Sequence, residues 1–213
     1  MARGFKRRDG RYVAKLDPVE RGLVVGLMEQ VLELVDPEGG EEGEGGEEGD
    51  TGDEFDQIVA GLGGMGLGVS LSAADQVPDR SGTVPQPRDP ALDRIFPTAN
   101  REDEQVAAEF RRLTEDGLRA RKSANLTTAI TALSGLEEQK VSLEQPQALA
   151  LLIALTDVRL VLGERLGLTR DDDVEILEEQ VSGLPRDDPA VYALAVYDFL
   201  TWLQETLAHA LTP

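Results

Sequence analysis

The sequence has no cysteine and a single histidine among its 213 residues, and only 4% of them are aromatic. Without cysteine, the chain can form no disulfide, thiolate metal site or thiol redox switch. The lone histidine, His209, cannot build a zinc site or a nucleophile–histidine triad by itself. We therefore predict no catalytic residue, no metal ligand and no bound cofactor, and a protein that is not an enzyme. Paired carboxylates in a pocket would be the one catalytic alternative.

The basic N-terminal stretch MARGFKRRDGRYVAKL has no apolar segment, so we do not expect it to act as a secretory signal. One apolar run, residues 146–167, is long enough to cross a bilayer, but Asp157, Arg159 and further charged residues interrupt it. The formal net charge of −20 argues against general affinity for nucleic acid or anionic membranes. We expect a cytoplasmic protein that does not bind membranes.

The run at 146–167, PQALALLIALTDVRLVLGERLG, predicts a helix that is buried on most sides and central to the fold. Pro146 suits a first helical position, and Gly167 suits the residue after the end. At helical spacing the large apolar residues cover most of the circumference: Leu149, Leu152, Ile153, Leu155, Val158, Leu160 and Leu162. The remaining stripe is small or polar: Gln147, Ala150, Ala154, Asp157 and Glu164. Arg159 falls on the apolar face, which predicts a buried ion pair with an acid on a neighbouring helix.

Residues 3–16 predict a β-hairpin, since Asp9-Gly10 is a strong signal for a two-residue type I′ turn. The implied register has four pairs: Arg8 with Arg11, Arg7 with Tyr12, Lys6 with Val13 and Phe5 with Ala14. One face then carries the residues that can pack on a core: Phe5, Tyr12, Ala14 and Leu16. The other face carries the concentrated cationic patch of the chain: Lys6, Arg8, Arg11 and Lys15. The patch is either an edge protected by charge, with the acidic linker folding back on it as one variant, or a contact for DNA phosphate or an acidic protein surface.

Helical patterns account for most of the remaining sequence. Asp17-Pro18 caps a helix to about Val35, Asp89-Pro90 caps a short one, and Asp188-Pro189 caps the last one, to about Leu211. Two further helical segments are predicted at about 172–181 and from Asn100 to about Leu133. The second places Val106, Ala107, Phe110 and Leu113 inward and restarts at Thr114–Gly117. The fold class is mainly α, a small helical bundle around a central buried helix, with an N-terminal β-hairpin.

A compositional break divides this single domain. Residues 1–37 hold the hairpin and first helix, and residues 89–213 hold the helical remainder. Residues 38–88 read as an acidic, glycine-rich disordered linker or insertion followed by loop, with ten acids and no base in 38–56. The match to GxGxxG at 61–66 lacks the strand and helix that the dinucleotide motif needs, so we interpret it as loop.

Several segments resemble one known family: FKRRDGRYVAKLDPVERGLV, DPALDRIFPTA, EFRRLTEDGLRARKSANL, LIALTDVRLVLGERLGL and YDFLTWLQETL. The chain is similar to an actinobacterial family catalogued as a domain of unknown function, which includes the AosR-like oxidative-stress transcriptional regulators. The similarity extends over most of the chain apart from residues 38–56.

The resemblance implies a cytoplasmic regulator that acts with a sigma factor or RNA polymerase on genes of cysteine biosynthesis and oxidant defence. The sensing described for that family uses a cysteine pair, which this sequence lacks. By this resemblance we expect the chain to be a relative that keeps the family's partner-binding surface but lacks the thiol sensor. The alternative is a structural or adaptor protein of a neighbouring pathway with no DNA contact. The sequence leaves a direct DNA contact and the oligomeric state open.

Overall fold

A computed structural model describes residues 2–36, 88–99, 103–136, 138–170 and 172–212. The predicted linker (apart from Arg88), the GxGxxG segment and Asn100 lie outside these ranges. The described residues form a mainly helical bundle with an N-terminal hairpin, which confirms the predicted fold class. Its elements are, in chain order, β1 Arg3–Arg8, β2 Arg11–Lys15, α1 Pro18–Val35, α2 Pro90–Ile95, α3 Glu104–Leu133, β3 Lys140–Leu143, α4 Gln145–Arg165, α5 Asp173–Val181 and α6 Pro189–Leu211.

The hairpin turn has the predicted geometry, with positive φ angles at both Asp9 (50°) and Gly10 (77°). The register beyond the turn is confirmed for Arg8–Arg11, Arg7–Tyr12 and Lys6–Val13. The next pair is Arg3–Lys15, so the predicted Phe5–Ala14 pairing is wrong: the register shifts between Arg3 and Lys6. β3 pairs antiparallel with β2 and completes a three-stranded sheet of order β1-β2-β3.

The apolar face of the sheet packs on the helices, as predicted, and Phe5, Tyr12, Ala14 and Leu16 are all buried. β1 approaches α6 closely at Gly4, where a Cβ atom would lie 2.5 Å from Thr206 Cγ2. The adjacent Phe5 backbone N–H donates to Thr206 Oγ1 at 3.2 Å. Only glycine fits this close contact. The contact holds the hairpin against α6, and a two-stranded hairpin would be only marginally stable alone.

Helix α1 begins with a reciprocal cap. The Asp17 carboxylate accepts from the Glu20 backbone N–H at 2.9 Å, and the Glu20 carboxylate accepts from the Asp17 N–H at 2.8 Å. The helix ends at Val35, as the sequence predicts. Its buried face carries Val24, Leu27, Met28, Val31 and Val35.

The central position of α4 is confirmed, because it contacts α1, α2, α3, α6 and β2. It is long and apolar enough to cross a membrane, but here it serves as a core helix with one exposed side. The predicted division of its faces is confirmed at Leu155 and Val158, which are buried, and wrong at other positions. Leu149 and Ile153 are exposed, whereas the buried positions are Ala148, Ala150, Leu151, Ala154, Leu155, Asp157, Val158 and Gly163. Small residues let neighbouring helix axes come close, so the alanine stripe faces the bundle.

The predicted buried ion pair of Arg159 is also corrected. Arg159 is only half-buried, its guanidinium donates to Gln204 Oε1, and it lies 5.2 Å from the centre of the Tyr197 ring. No carboxylate pairs with it among the described residues. The buried charge of α4 is Asp157 instead, on the face that the helical wheel marked as small and polar.

Helix α3 is one continuous helix of 30 residues, so the predicted restart at Thr114–Gly117 is wrong. Its cap is Asp103, whose side chain accepts from the Gln105 and Val106 N–H groups. The helix buries Leu126, Ala129 and Leu133. Of the four residues predicted to point inward near its start, only Ala107 is buried, and the other three are exposed: Val106, Phe110 and Leu113.

Candidate binding surface

The sheet face opposite the core is the main cationic surface of the described structure. The alternation of the strands places Lys6, Arg8, Arg11 and Lys15 on this face, as predicted. All four side chains are exposed. Their placement follows from the type I′ turn and the paired register, because a slip of one residue would move them to the core side.

The third strand enlarges this surface. β3 aligns Lys140 with Lys15 and Ser142 with Val13, so one more lysine joins the cations of the hairpin. With Arg3 from the start of β1, six cations then line one shallow concavity of about 760 Å³: Arg3, Lys6, Arg8, Arg11, Lys15 and Lys140. We name this surface the basic sheet face.

Arg11 differs from the other cations of the basic sheet face, because its guanidinium already has partners. Nε donates to Ser142 Oγ at 2.8 Å, Nη2 donates to the Ser142 carbonyl at 3.0 Å, and Nη1 pairs with Glu144 at 3.2 Å. Arg11 therefore fastens β2 to β3. No ion pair joins Lys6, Arg8 or Lys15 to another described residue.

A second group of charges lies inside the bundle, and sequence reasoning missed it. Lys122 Nζ on α3 contacts Asp157 Oδ1 on α4 at 2.6 Å, and Asp157 is 1% exposed. Asp157 Oδ2 has no hydrogen-bond partner among the described residues. Burial raises the pKa of Asp157, and the Lys122 ammonium opposes that rise. The sequence feature that could have revealed this pair is the position of Asp157 on the same helix side as Ala150 and Ala154, a side that is buried in the structure.

Ion pairs hold the short helix α2 between α3 and α4. Arg165 pairs with the cap residue Asp89, and Arg88 pairs with Glu115 at 3.1 Å. Burial by itself would raise the pKa of both carboxyls. Hydrogen bonds from Arg165 and from the Ala91 N–H outweigh the effect of burial on Asp89 and lower its pKa. Hydrogen bonds from Arg88 and Arg119 do the same for Glu115, whose pKa is also lowered. These pairs join α2 and its cap to α3 and α4.

The other polar features that could carry chemistry are dispersed. His209 is exposed in the last turn of α6. Asp173 caps the turn before α5, and hydrogen bonds from the Arg170 and Thr169 N–H groups lower its pKa. Within the described ranges, no group of three or more histidine, aspartate or glutamate side chains is placed to hold a metal ion.

The fold and the basic sheet face define a class: a mainly helical domain with a small three-stranded sheet that presents cations on its outer side. The chain belongs to the family described as "Domain of unknown function (DUF2017)", whose model matches residues 2–211. No curated protein matches the chain significantly. No solved structure matches it either.

Proposed function

We propose that this protein is a non-enzymatic regulatory protein that binds an acidic surface of a protein partner through the basic sheet face. By the resemblance to AosR-like regulators, the partner is a sigma factor or RNA polymerase, and the regulated genes serve cysteine biosynthesis or oxidant defence. The same resemblance supports an actinobacterial origin and a cytoplasmic location. The observation that carries the proposal is the set of exposed cations on the basic sheet face of a chain with a net charge of −20. Three of them, Lys6, Arg8 and Lys15, have no ion pair with another described residue.

Electrostatics favour a protein partner over DNA. A polyanion meets long-range repulsion from a chain with 20 excess negative charges, whereas an acidic patch of limited size feels mainly the nearby cations. The basic sheet face is also compact, since three short strands carry it. A contact of this kind contributes mostly to specificity and association rate.

The partner can be identified by affinity purification from oxidant-stressed cells followed by mass spectrometry. We expect sigma factor or RNA polymerase subunits to be recovered. The charge reversals Lys6→Glu and Arg8→Glu together should weaken that recovery, and the loss should be steeper at low salt. Arg11 is a poor target, because its reversal would also break the contacts with Ser142 and Glu144.

The matched control is Arg112→Glu, which reverses an exposed cation on α3 outside the basic sheet face. If the double reversal and the control bind alike, the basic sheet face is not the contact. If transcription proteins are absent and a metabolic or proteolytic complex is recovered instead, the alternative of an adaptor without DNA contact replaces the proposal.

A further inference from the structure

The outward side of α3 carries a seam of uncharged residues along nearly its whole length. Starting at Val106, every third or fourth residue is exposed, and none is charged: Val106, Phe110, Leu113, Gly117, Ala120, Ala124, Thr127 and Thr131. The intervals alternate between four and three residues, which is the spacing of the a and d positions of a coiled coil. We name this set the α3 seam.

The α3 seam lies opposite the side by which α3 packs on the protein. The buried side carries Leu126, Ala129 and Leu133, whereas the three large apolar residues of the seam are exposed by 50% or more: Val106 by 52%, Phe110 by 50% and Leu113 by 68%. A surface helix ordinarily turns charged residues to solvent on this side. A contiguous patch of exposed, large apolar side chains is a common feature of interaction sites.

We propose that the α3 seam is the interface for a second copy of this chain, with the two α3 helices packed antiparallel. The sizes of the residues support a second copy. The first half of the seam is large, at Val106, Phe110 and Leu113, and the second half is small. An antiparallel pair with its twofold axis between Gly117 and Ala120 sets every large residue against a small one.

The register of this pair follows from the spacing. Phe110 faces Thr127 of the second copy, Leu113 faces Ala124, and Gly117 faces Ala120. The hydroxyl of Thr131 donates to the Thr127 carbonyl at 2.8 Å, so it brings no unsatisfied group into the contact with Val106. In a parallel pair Phe110 would meet Phe110 while Gly117 met Gly117, which crowds one end and leaves a gap in the middle.

The area predicts a weak dimer. From Val106 to Thr131 the seam is about 38 Å long, and a helix is about 10 Å wide, which offers on the order of 400 Å² on each copy. That is about half of a standard interface, so we expect association at roughly 10 to 500 μM rather than at nanomolar concentrations. The absence of charge in the seam means that high salt should not dissociate the dimer.

Sedimentation equilibrium of the full chain, from about 5 μM to 1 mM, tests the proposal. We expect a monomer–dimer equilibrium for the wild type and at least tenfold weaker association for Phe110→Glu with Leu113→Glu. Arg112→Glu, the control on the same helix, should leave the equilibrium unchanged. A wild type that stays monomeric at 1 mM, or a dimer that tolerates both glutamates, would overturn the proposal.

The lack of cysteine allows a test of direction, because any thiol introduced is the only one in its chain. Leu113→Cys and Ala124→Cys should each form little disulfide alone and should cross-link when mixed. Arg112→Cys mixed with Ala124→Cys is the control and should not react. Efficient cross-linking of Leu113→Cys with itself would indicate a parallel pair and overturn the proposed arrangement.

A further measurement distinguishes a second copy from cover supplied within the same chain. At concentrations where the wild type is monomeric, the two glutamates should change the melting temperature by no more than about 2 °C, as expected for exposed positions. A fall of more than about 5 °C would mean that the seam is covered intramolecularly, and the proposal would then fail.

Discussion

The buried contact between Lys122 and Asp157 offers the sharpest test of the core. Lys122→Met keeps a long apolar side chain but removes the ammonium that lies 2.6 Å from the carboxylate. Asp157 is 1% exposed, and its second oxygen has no hydrogen-bond partner among the described residues, so it would remain as an unpaired charge in the bundle. We expect a large loss of stability, because removing one partner of a buried pair costs about 3–5 kcal/mol.

The loss has a ceiling, because Asp157 can take up a proton instead of staying charged. Neutralising a carboxyl with an ordinary pKa near 4 costs about 4 kcal/mol at pH 7 and about 1.4 kcal/mol at pH 5. The pKa of Asp157 is already raised by burial, and the substitution raises it further. The folded variant then binds more protons than the unfolded chain, so its stability falls as the pH rises. We predict a deficit of about 3–4 kcal/mol at pH 7 that shrinks to about 1.5 kcal/mol at pH 5.

Urea denaturation of wild type and variant at pH 5, 6 and 7 measures this deficit directly. In thermal melts the loss at pH 7 should appear as a drop of roughly 6–16 °C. The control is Lys122→Met with Asp157→Asn, whose own stability should lack the pH dependence of the single variant because the amide does not ionise. A deficit below about 1 kcal/mol that is constant from pH 5 to pH 7 would refute the burial of Asp157.

Three further predictions concern glycines and the ion pairs of α2. Gly4→Ala should cost about 1–3 kcal/mol in urea denaturation, since its Cβ would clash with Thr206, and unchanged stability would contradict that contact. Gly22→Ala, on the open side of α1, should raise the free energy of unfolding by about 0.5–1 kcal/mol, and a decrease would reveal contacts at that site. In wild type, the lowered pKa of Asp89 contributes stability that is lost as the pH falls below about 4. Arg165→Met should reduce this loss of unfolding free energy at acid pH, as measured by urea denaturation at several pH values. An unchanged pH dependence would show that the Arg165–Asp89 pair contributes nothing to stability.

The basic sheet face was partly predictable from the sequence. The turn at Asp9-Gly10 and the alternation of β2 are local properties, and they place Lys6, Arg8, Arg11 and Lys15 together by themselves. Lys140 joins them because β3 pairs with β2, a contact between residues far apart in the chain. Local patterns hold no information about such a pairing, so the full extent of the face required the structure.

The faces of α3 and α4 show the limit of helical-wheel reasoning. A helical wheel ranks positions by side-chain hydrophobicity. It therefore predicts that Leu149 and Phe110 are buried and that Ala154 and Asp157 are exposed. The structure does the reverse at these four positions. Helices that cross closely need small residues at the contact. At the start of α3, no described neighbour covers Val106, Phe110 and Leu113, so these large residues stay exposed. Both conditions depend on where the other helices lie.

The chain by itself determines where the hairpin turns and where several helices begin, although the restart predicted within α3 does not occur. Caps such as Asp17-Pro18 and Asp188-Pro189 and the Asp9-Gly10 turn act over three or four residues, so their outcome depends little on the rest of the molecule. Tertiary structure alone decides which side of each helix is covered. Burial is a property of the neighbours, and it leaves Asp157 and Lys122 facing each other inside the bundle while Val106, Phe110 and Leu113 face outward.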